Sequence, residues 1–211
     1  ILVTAGPTRE MLDPVRFLSN VSTGHMGYQM AHQAKRMDAQ VTLISGPTDL
    51  TPPEGIQFVS VLTADDMKRA VLRFWPRTDI LIMTAAVCDY TPVRFSPSKI
   101  KRVKQKSIQF KRTEDILKCV GRRKGNRVIM GFALETESLK QNALRKLRAK
   151  NLDFIVANFY GGGNHPFGAA RTSMILMGPQ GPVRRFQKMA KARIAKLLLK
   201  EILGFWSSKN S

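Results

Sequence analysis

The chain opens Ile1-Leu2-Val3-Thr4-Ala5-Gly6 and runs into Pro7-Thr8-Arg9-Glu10, then Asp13-Pro14-Val15-Arg16-Phe17-Leu18-Ser19-Asn20, then Ser22-Thr23-Gly24-His25-Met26-Gly27. The first six residues predict a buried strand that ends in a glycine turn, and the second glycine turn leads into a helix. This is how α/β proteins hold phosphorylated ligands: glycine lets the main chain come close, and the helix start offers N–H groups. The spacing is not that of the ordinary dinucleotide fingerprint. Between the turns, Arg9, Arg16 and Asn20 fall at the carboxyl end of the strand, where such folds carry their chemistry.

Working outward, strand-like runs recur at residues 41–46, 57–61 and 79–87, and Met26, Met30, Ala31 and Ala34 fall at helical spacing over residues 24–37. Thr63-Ala64-Asp65-Asp66 resembles a capping box. Met67, Val71, Leu72 and Trp75 then supply an apolar helix face that Pro76 ends. The 79–87 run is apolar on both faces, as expected in the middle of a parallel sheet. Further strands are predicted at 107–112, 127–135 and 153–158, with helices at about 114–120 and 138–150. An antiparallel hairpin is expected over 173–177 and 183–186 around Gly178-Pro179-Gln180-Gly181, and a terminal helix runs to about residue 203. Gly161-Gly162-Gly163-Asn164 reads as a flexible loop. The expected fold is therefore α/β: a Rossmann-like, doubly wound, mostly parallel sheet with a small antiparallel hairpin extension, spanning residues 1–211 as one domain.

Residues 89–106 break the alternation. Pro92 and Pro97 exclude helix, and Lys99, Lys101, Arg102, Lys104 and Lys106 follow closely, so a mobile basic flap is expected. The formal charge of +20 over 211 residues predicts attraction to anions of some kind. Thirteen Lys and Arg against two acids lie between Arg94 and Arg127, and 184–200 adds a basic helix face. The longest apolar run is far too short to cross a bilayer, and no leader-like segment precedes the first strand, so a cytoplasmic protein is expected. Cys88 and Cys119 lack metal spacing and read as small, reduced, buried residues.

Several chemistries are absent. The chain has no G-x-S-x-G elbow, no H-E-x-x-H, no Walker lysine loop and no Tyr followed four residues later by Lys, and its three histidines are scattered. His32 reads as a surface residue and His25 as a possible ligand contact. Cations, glycine turns and one well-placed amide remain, an inventory suited to phosphoryl or nucleotidyl transfer, where positioning and charge stabilisation do most of the catalysis.

The opening motifs, followed in order by Ala85-Ala86-Val87-Cys88-Asp89-Tyr90, Lys99-Ile100-Lys101-Arg102, Gly131-Phe132-Ala133-Leu134-Glu135-Thr136, the stretch 146–153 and Ala157-Asn158, resemble bacterial phosphopantothenoylcysteine synthetase, the second activity of the coenzyme A biosynthesis flavoprotein. The resemblance covers nearly the whole chain. It implies a ligase that activates 4′-phosphopantothenate with CTP to an acyl-cytidylate and then forms the amide with L-cysteine. Mg²⁺ is expected through the nucleotide phosphates and not on protein ligands.

By that resemblance, Asn20 is the active-site asparagine and Lys99 the flap lysine acting on the triphosphate. Ala85, Asp89, Thr113, Glu114, Asp115, Ile116, Phe132, Lys146 and Lys150 match nucleotide-site positions, and Gly24, His25 and Gly27 form the phosphate-holding turn. Read from residues alone, Asn20 is equally a cap, Asp89 a turn residue, Phe132 a core residue and Lys99 a solvated charge. Lys146 and Lys150, four apart, share one helix face. The chain departs from the pattern at His25, where the family has lysine, and at Cys88, Arg102 and Phe159. The resemblance further implies a homodimer and a flavin decarboxylase, fused upstream or separate. The alternative, a basic nucleic-acid-binding protein on a degenerate Rossmann-like fold, rests on the charge alone, since no RNA- or DNA-reading module is present. A dinucleotide-dependent reductase is weakened by the missing fingerprint and Tyr/Lys pair.

Overall fold

The computed structural model describes residues 1–102, 107–161, 167 and 170–210. In chain order the elements are β1 (Leu2–Ala5), β2 (Arg9–Met11), β3 (Phe17–Ser19), α1 (His25–Lys35), β4 (Thr42–Ser45), β5 (Gln57–Ser60), α2 (Ala64–Phe74), β6 (Ile80–Met83), β7 (Tyr90–Pro92), β8 (Phe110–Arg112), α3 (Ile116–Gly121), β9 (Val128–Glu135), α4 (Leu139–Ala149), β10 (Phe154–Phe159), β11 (Arg171–Gly178), β12 (Gly181–Ala190) and α5 (Lys191–Asn210). The expected flap lysines Lys104 and Lys106, the glycine loop beyond Gly161, and His165 lie outside the described residues.

One eight-stranded sheet runs in the order β12-β11-β10-β9-β6-β1-β4-β5. From β5 to β10 every neighbouring pair is parallel, while β11 and β12 are added antiparallel. The expected doubly wound sheet with a hairpin extension is therefore present. Side-chain alternation along the strands divides the core. Val3, Leu43, Ile82, Met130 and Val156 pack with α1 and α5 on one face, and Leu2, Ile44, Leu81, Ile129 and Ile155 with α2, α3 and α4 on the other. The capping box of α2 forms as read, with Thr63 Oγ1 accepting from Asp66 N at 3.1 Å and Asp66 Oδ2 accepting from Thr63 N at 3.0 Å.

The chain leaves β1 toward β4 and β5, then returns across β1 to β6, so β1 and β6 are neighbours from opposite directions. At such a switch point the connections diverge above the strand ends and leave a crevice. Two glycines bring α1 onto it. Gly24, the N-cap of α1, has φ +78°, which an L side chain adopts only with strain. A Cβ on Gly27 would lie 2.5 Å from both Ala5 Cβ and Thr84 Oγ1, so the helix rests directly on the ends of β1 and β6.

One element is new and four readings are corrected. The polar stretch between the glycine turns holds an antiparallel hairpin, β2 with β3. The flap does not begin as a loop: Tyr90–Pro92 is a strand paired with Phe110–Arg112, and the expected strand from 107 is limited to the latter. The third helix starts at Ile116, because the Asp115 carboxylate caps it by accepting from Lys118 N at 3.0 Å. Residues 184–190 belong to strand β12, so the basic run there is split between strand and helix. Finally, α5 continues to Asn210, past Gly204, because Leu203 and Trp206 keep packing on the core.

The contact at Gly27 predicts a specific cost. Gly27→Ala is expected to lower unfolding free energy by about 1–3 kcal/mol, the usual range for overpacking, as measured by urea denaturation. An unchanged midpoint would show that α1 does not rest on the strand ends as described.

Candidate active site

A cleft of about 500 Å³ opens over the carboxyl ends of β6, β9 and β10, within the range of small-molecule sites. The segments leaving β1 and β6 stay bonded to each other along its floor. Ala86 N donates to Gly6 O at 2.9 Å, Thr8 N to Ala86 O at 3.3 Å, and Cys88 N to Thr8 Oγ1 at 2.9 Å. Thr84 Oγ1 donates to Thr4 O at 2.6 Å and so fixes the first residue past β6.

Asn20, just past β3, reaches across this floor. Its Nδ2 donates to Ala86 O at 3.0 Å and lies 3.8 Å from Cys88 Sγ. The amide nitrogen is thereby anchored, and Oδ1, which accepts no hydrogen bond among the described residues, remains for a ligand. Cys88 is buried under Asn20, and burial pushes its thiol up from the ordinary value despite hydrogen bonding to Thr8. A neutral thiol there is a packing and weakly donating group, not a nucleophile. Cys119 is free but only half-buried, short of the burial expected of it.

Gly24, His25 and Gly27 line one wall, where α1 begins. His25 is exposed, with Nδ1 3.1 Å from Thr23 Oγ1; His32 is exposed on the outer surface, as read. Ala85 and Asp89 border the floor. Thr113 to Ile116 form the facing wall, held by Thr113 Oγ1 donating to Cys88 O at 2.6 Å and Thr113 N to Asp89 O at 2.9 Å. Phe132, half-buried on β9, lines the cleft and also packs against the α1/α5 core.

Lys146 on α4 and Lys150, its C-cap residue, extend to this wall, but each already has a carboxylate. Lys146 Nζ is 2.7 Å from Glu135 Oε1, and Lys150 Nζ is 2.9 Å from Asp115 Oδ2. Asp115 thus caps α3 and orients Lys150 at once. An ammonium held by a carboxylate is preset in position, and an incoming phosphate competes for it with no large rearrangement.

One expected residue is not in the cleft. Lys99 is exposed on the flap and does not line it. Conversely, Lys191 and Asn158 line the cleft without having been assigned a role. Lys191, the first residue of α5, is only 8% exposed, and burial lowers its pKa from the ordinary lysine value. Asn158, at the end of β10, donates from Nδ2 to Thr172 Oγ1 at 3.3 Å. Ala157-Asn158 was part of the motif series, whereas nothing in the basic run distinguished Lys191 from its neighbours. Among the described residues no three His, Cys, Asp or Glu side chains gather to hold a metal ion. No helix there is long and apolar enough to cross a membrane.

The chain and its fold have relatives among known proteins. The coenzyme A biosynthesis bifunctional protein CoaBC of Bacillus subtilis (strain 168) is 43% identical over 204 residues, covering 96% of this chain and 50% of that protein. The chain thus spans about half the length of the relatives it matches. The crystal structure of the C-terminal domain of a CoaBC protein superposes with a TM-score of 0.84 at 37% identity, covering 98% of this chain and 95% of that one. A Cab2 variant in complex with phosphopantothenate-cysteine shares the fold, with a TM-score of 0.80 at 16% identity over 99% of this chain and 86% of its own. The DNA/pantothenate metabolism flavoprotein C-terminal domain family matches residues 1–205, and the chain belongs to that family.

Proposed function

We propose that the chain is a phosphopantothenate–cysteine ligase of coenzyme A biosynthesis, acting in the cytoplasm, with residues 1–211 as one synthetase domain. In the first step a carboxylate oxygen of 4′-phosphopantothenate attacks the α-phosphorus of CTP. The bond to the pyrophosphate oxygen breaks, and an acyl-cytidylate forms. In the second, the amine of L-cysteine attacks the acyl carbon, CMP departs with the bonding pair, and the surplus proton of the amine passes to solvent.

The observation that carries this reading is the cleft itself, which gathers Asn20, the Gly24 turn, Asp89, Phe132 and the α4 lysines at one switch point. The chemistry suits such a set. The substrate carboxylate is already a nucleophile, so the first step needs no Ser, Cys or His base. Charge developing on the phosphates is met by preset cations and helix-start N–H groups. In the proposed assignment, Asn20 Oδ1 and Nδ2 hold the acyl-phosphate region as cysteine attacks. Gly24, His25 and Gly27 receive phosphate, Asp89 the ribose or base, and Ala85 with Thr113 to Ile116 the base edge. Lys146 and Lys150 take phosphate oxygens in competition with Glu135 and Asp115. Lys99 comes to the triphosphate from the flap, and any Mg²⁺ arrives with the nucleotide.

A homodimer is part of the proposal, and an exposed apolar face supports it. Val15, Phe17, Leu18 and Val21 stand exposed on or beside the β2/β3 hairpin, and Tyr90, Val93, Phe95 and Phe110 on or beside β7/β8. The two hairpins are joined by Ser96 N donating to Leu12 O at 3.0 Å, so these side chains belong to one region. A patch of that kind on a strongly charged protein marks an association surface. The relatives' greater length supports a decarboxylase half as partner, fused or separate. The nucleic-acid alternative draws no support from the cleft or the relatives.

Incubation with 4′-phosphopantothenate, L-cysteine and Mg²⁺, with CTP or ATP offered separately, is expected to yield CMP and pyrophosphate with CTP. Absence of turnover with both nucleotides would end the proposal. Asn20→Asp replaces the anchoring N–H donor by a carboxylate facing the Ala86 carbonyl. It is expected to slow amide formation so that acyl-cytidylate accumulates and is seen by mass spectrometry after quenching. Ordinary turnover in this variant would remove Asn20 from its role.

A further inference from the structure

Outside the cleft, the most heavily engaged carboxylate in the described structure is that of Asp13, in the turn between β2 and β3. Its side chain has 0% exposure, and its two oxygens have different tasks. Oδ1 accepts from Val15 N and Arg16 N, both at 2.9 Å. That closes the hairpin turn, the ordinary work of an Asp in such a place. Oδ2 accepts from Arg16 Nε at 3.0 Å and from the main-chain N–H of Ile100 at 3.0 Å, 87 residues away. The guanidinium of Arg16 completes the grip by donating to Ile100 O at 2.5 Å. Both main-chain polar groups of Ile100 are therefore taken by the Asp13/Arg16 pair. Four residues earlier, Ser96 N is held by Leu12 O, and Ser96 Oγ donates to Ser98 O at 2.7 Å.

Lys99 lies between these two tethers. Its side chain is exposed and outside the cleft lining, yet its backbone is fixed on both sides to the hairpin that carries Asn20. A turn-closing Asp needs only Oδ1, so the buried second oxygen calls for another account.

We propose that Asp13 is a positioning residue for nucleotide activation: its Oδ2, with Arg16, pins the flap main chain at Ile100 and so sets where Lys99 starts its reach toward the triphosphate. This rests on the reading of Lys99 given above. Burial by itself would raise the Asp13 carboxyl. The N–H groups of Ile100, Val15 and Arg16, with the Arg16 guanidinium, outweigh it and hold the carboxyl at about 2. The folded value lies below the ordinary one, so the clamp is complete above about pH 4 and weakens only as pH falls toward 2. It is constant throughout the range in which a ligase is assayed.

Asp13→Asn separates the two tasks, since the amide oxygen can still close the turn while the amide NH₂ meets the N–H groups of Ile100 and Arg16. The expected result is a fall of roughly tenfold or more in kcat/KM for CTP, the scale of a misplaced catalytic group. KM values for 4′-phosphopantothenate and cysteine should be unaltered. In a Lys99→Gln background the same substitution should cause no further loss. Additive losses would overturn the proposal, as would wild-type CTP kinetics in Asp13→Asn when Lys99→Gln is impaired. Unaltered nucleotide kinetics in Lys99→Gln alone would instead overturn the reading of Lys99, and the proposal with it.

A readout independent of activity is tryptic cleavage of the full chain after Lys99, Lys101 and Arg102. Asp13→Asn should accelerate it severalfold relative to cleavage elsewhere, and an unchanged rate would contradict the clamp. Should Asp13→Asn fail to fold, Ile100→Pro removes the flap's N–H donor from outside the hairpin; the same kinetic result is expected of it, and faster tryptic cleavage after Lys101 and Arg102, the Lys99–Pro bond itself being resistant to trypsin.

Discussion

The pairing of β1 on both edges, with β4 on one side and β6 on the other, is the constraint from which the site follows. Because the chain reaches these neighbours from opposite directions, its connections part above β1 and β6 and nothing in the sheet fills the gap. Gly27 then lets α1 lie against Ala5 and Thr84, which brings the helix start to the rim. The segments past the two strands remain bonded through Gly6, Thr8, Ala86 and Cys88, giving Asn20 a rigid carbonyl on which to rest. Preorganisation of this kind lets a ligand meet its partners without reordering them.

The charge of +20 is not mirrored in the cleft. Asp115 and Glu135 pair with Lys150 and Lys146 at its wall. The local balance is far closer to neutral than the chain as a whole. A net charge of this sign attracts anions at long range, while the near-neutral cleft leaves discrimination among them to short-range geometry. Lys191 adds a cation at a buried position, where its field is screened less than that of any surface lysine.

The sequence made the parallel sheet legible because its strands are short apolar runs separated by amphipathic helices, and the 79–87 run even announced its central place. The β2/β3 and β7/β8 hairpins were not legible. Three-residue strands such as Arg9–Met11 and Tyr90–Pro92 mix polar and apolar residues and carry no period. The site divides in the same way. Ala85, Asp89 and Phe132, which share the cleft lining, were named only through the resemblance; by themselves Asp89 reads as a turn residue and Phe132 as core. The link from Asp13 to Ile100 spans 87 residues and leaves no local trace. Lys191 was hidden by composition, one cation in a basic run set apart only by its burial.

The central claim is that this cleft transfers a nucleotidyl group to a carboxylate before the amide forms. It is tested most directly with 4′-phosphopantothenate labelled with ¹⁸O in its carboxylate. If the carboxylate attacks the α-phosphorus of CTP and cysteine then displaces CMP, one labelled oxygen must appear in the phosphate of CMP and none in pyrophosphate. Label in pyrophosphate, or amide formation with no label in CMP, would contradict the account.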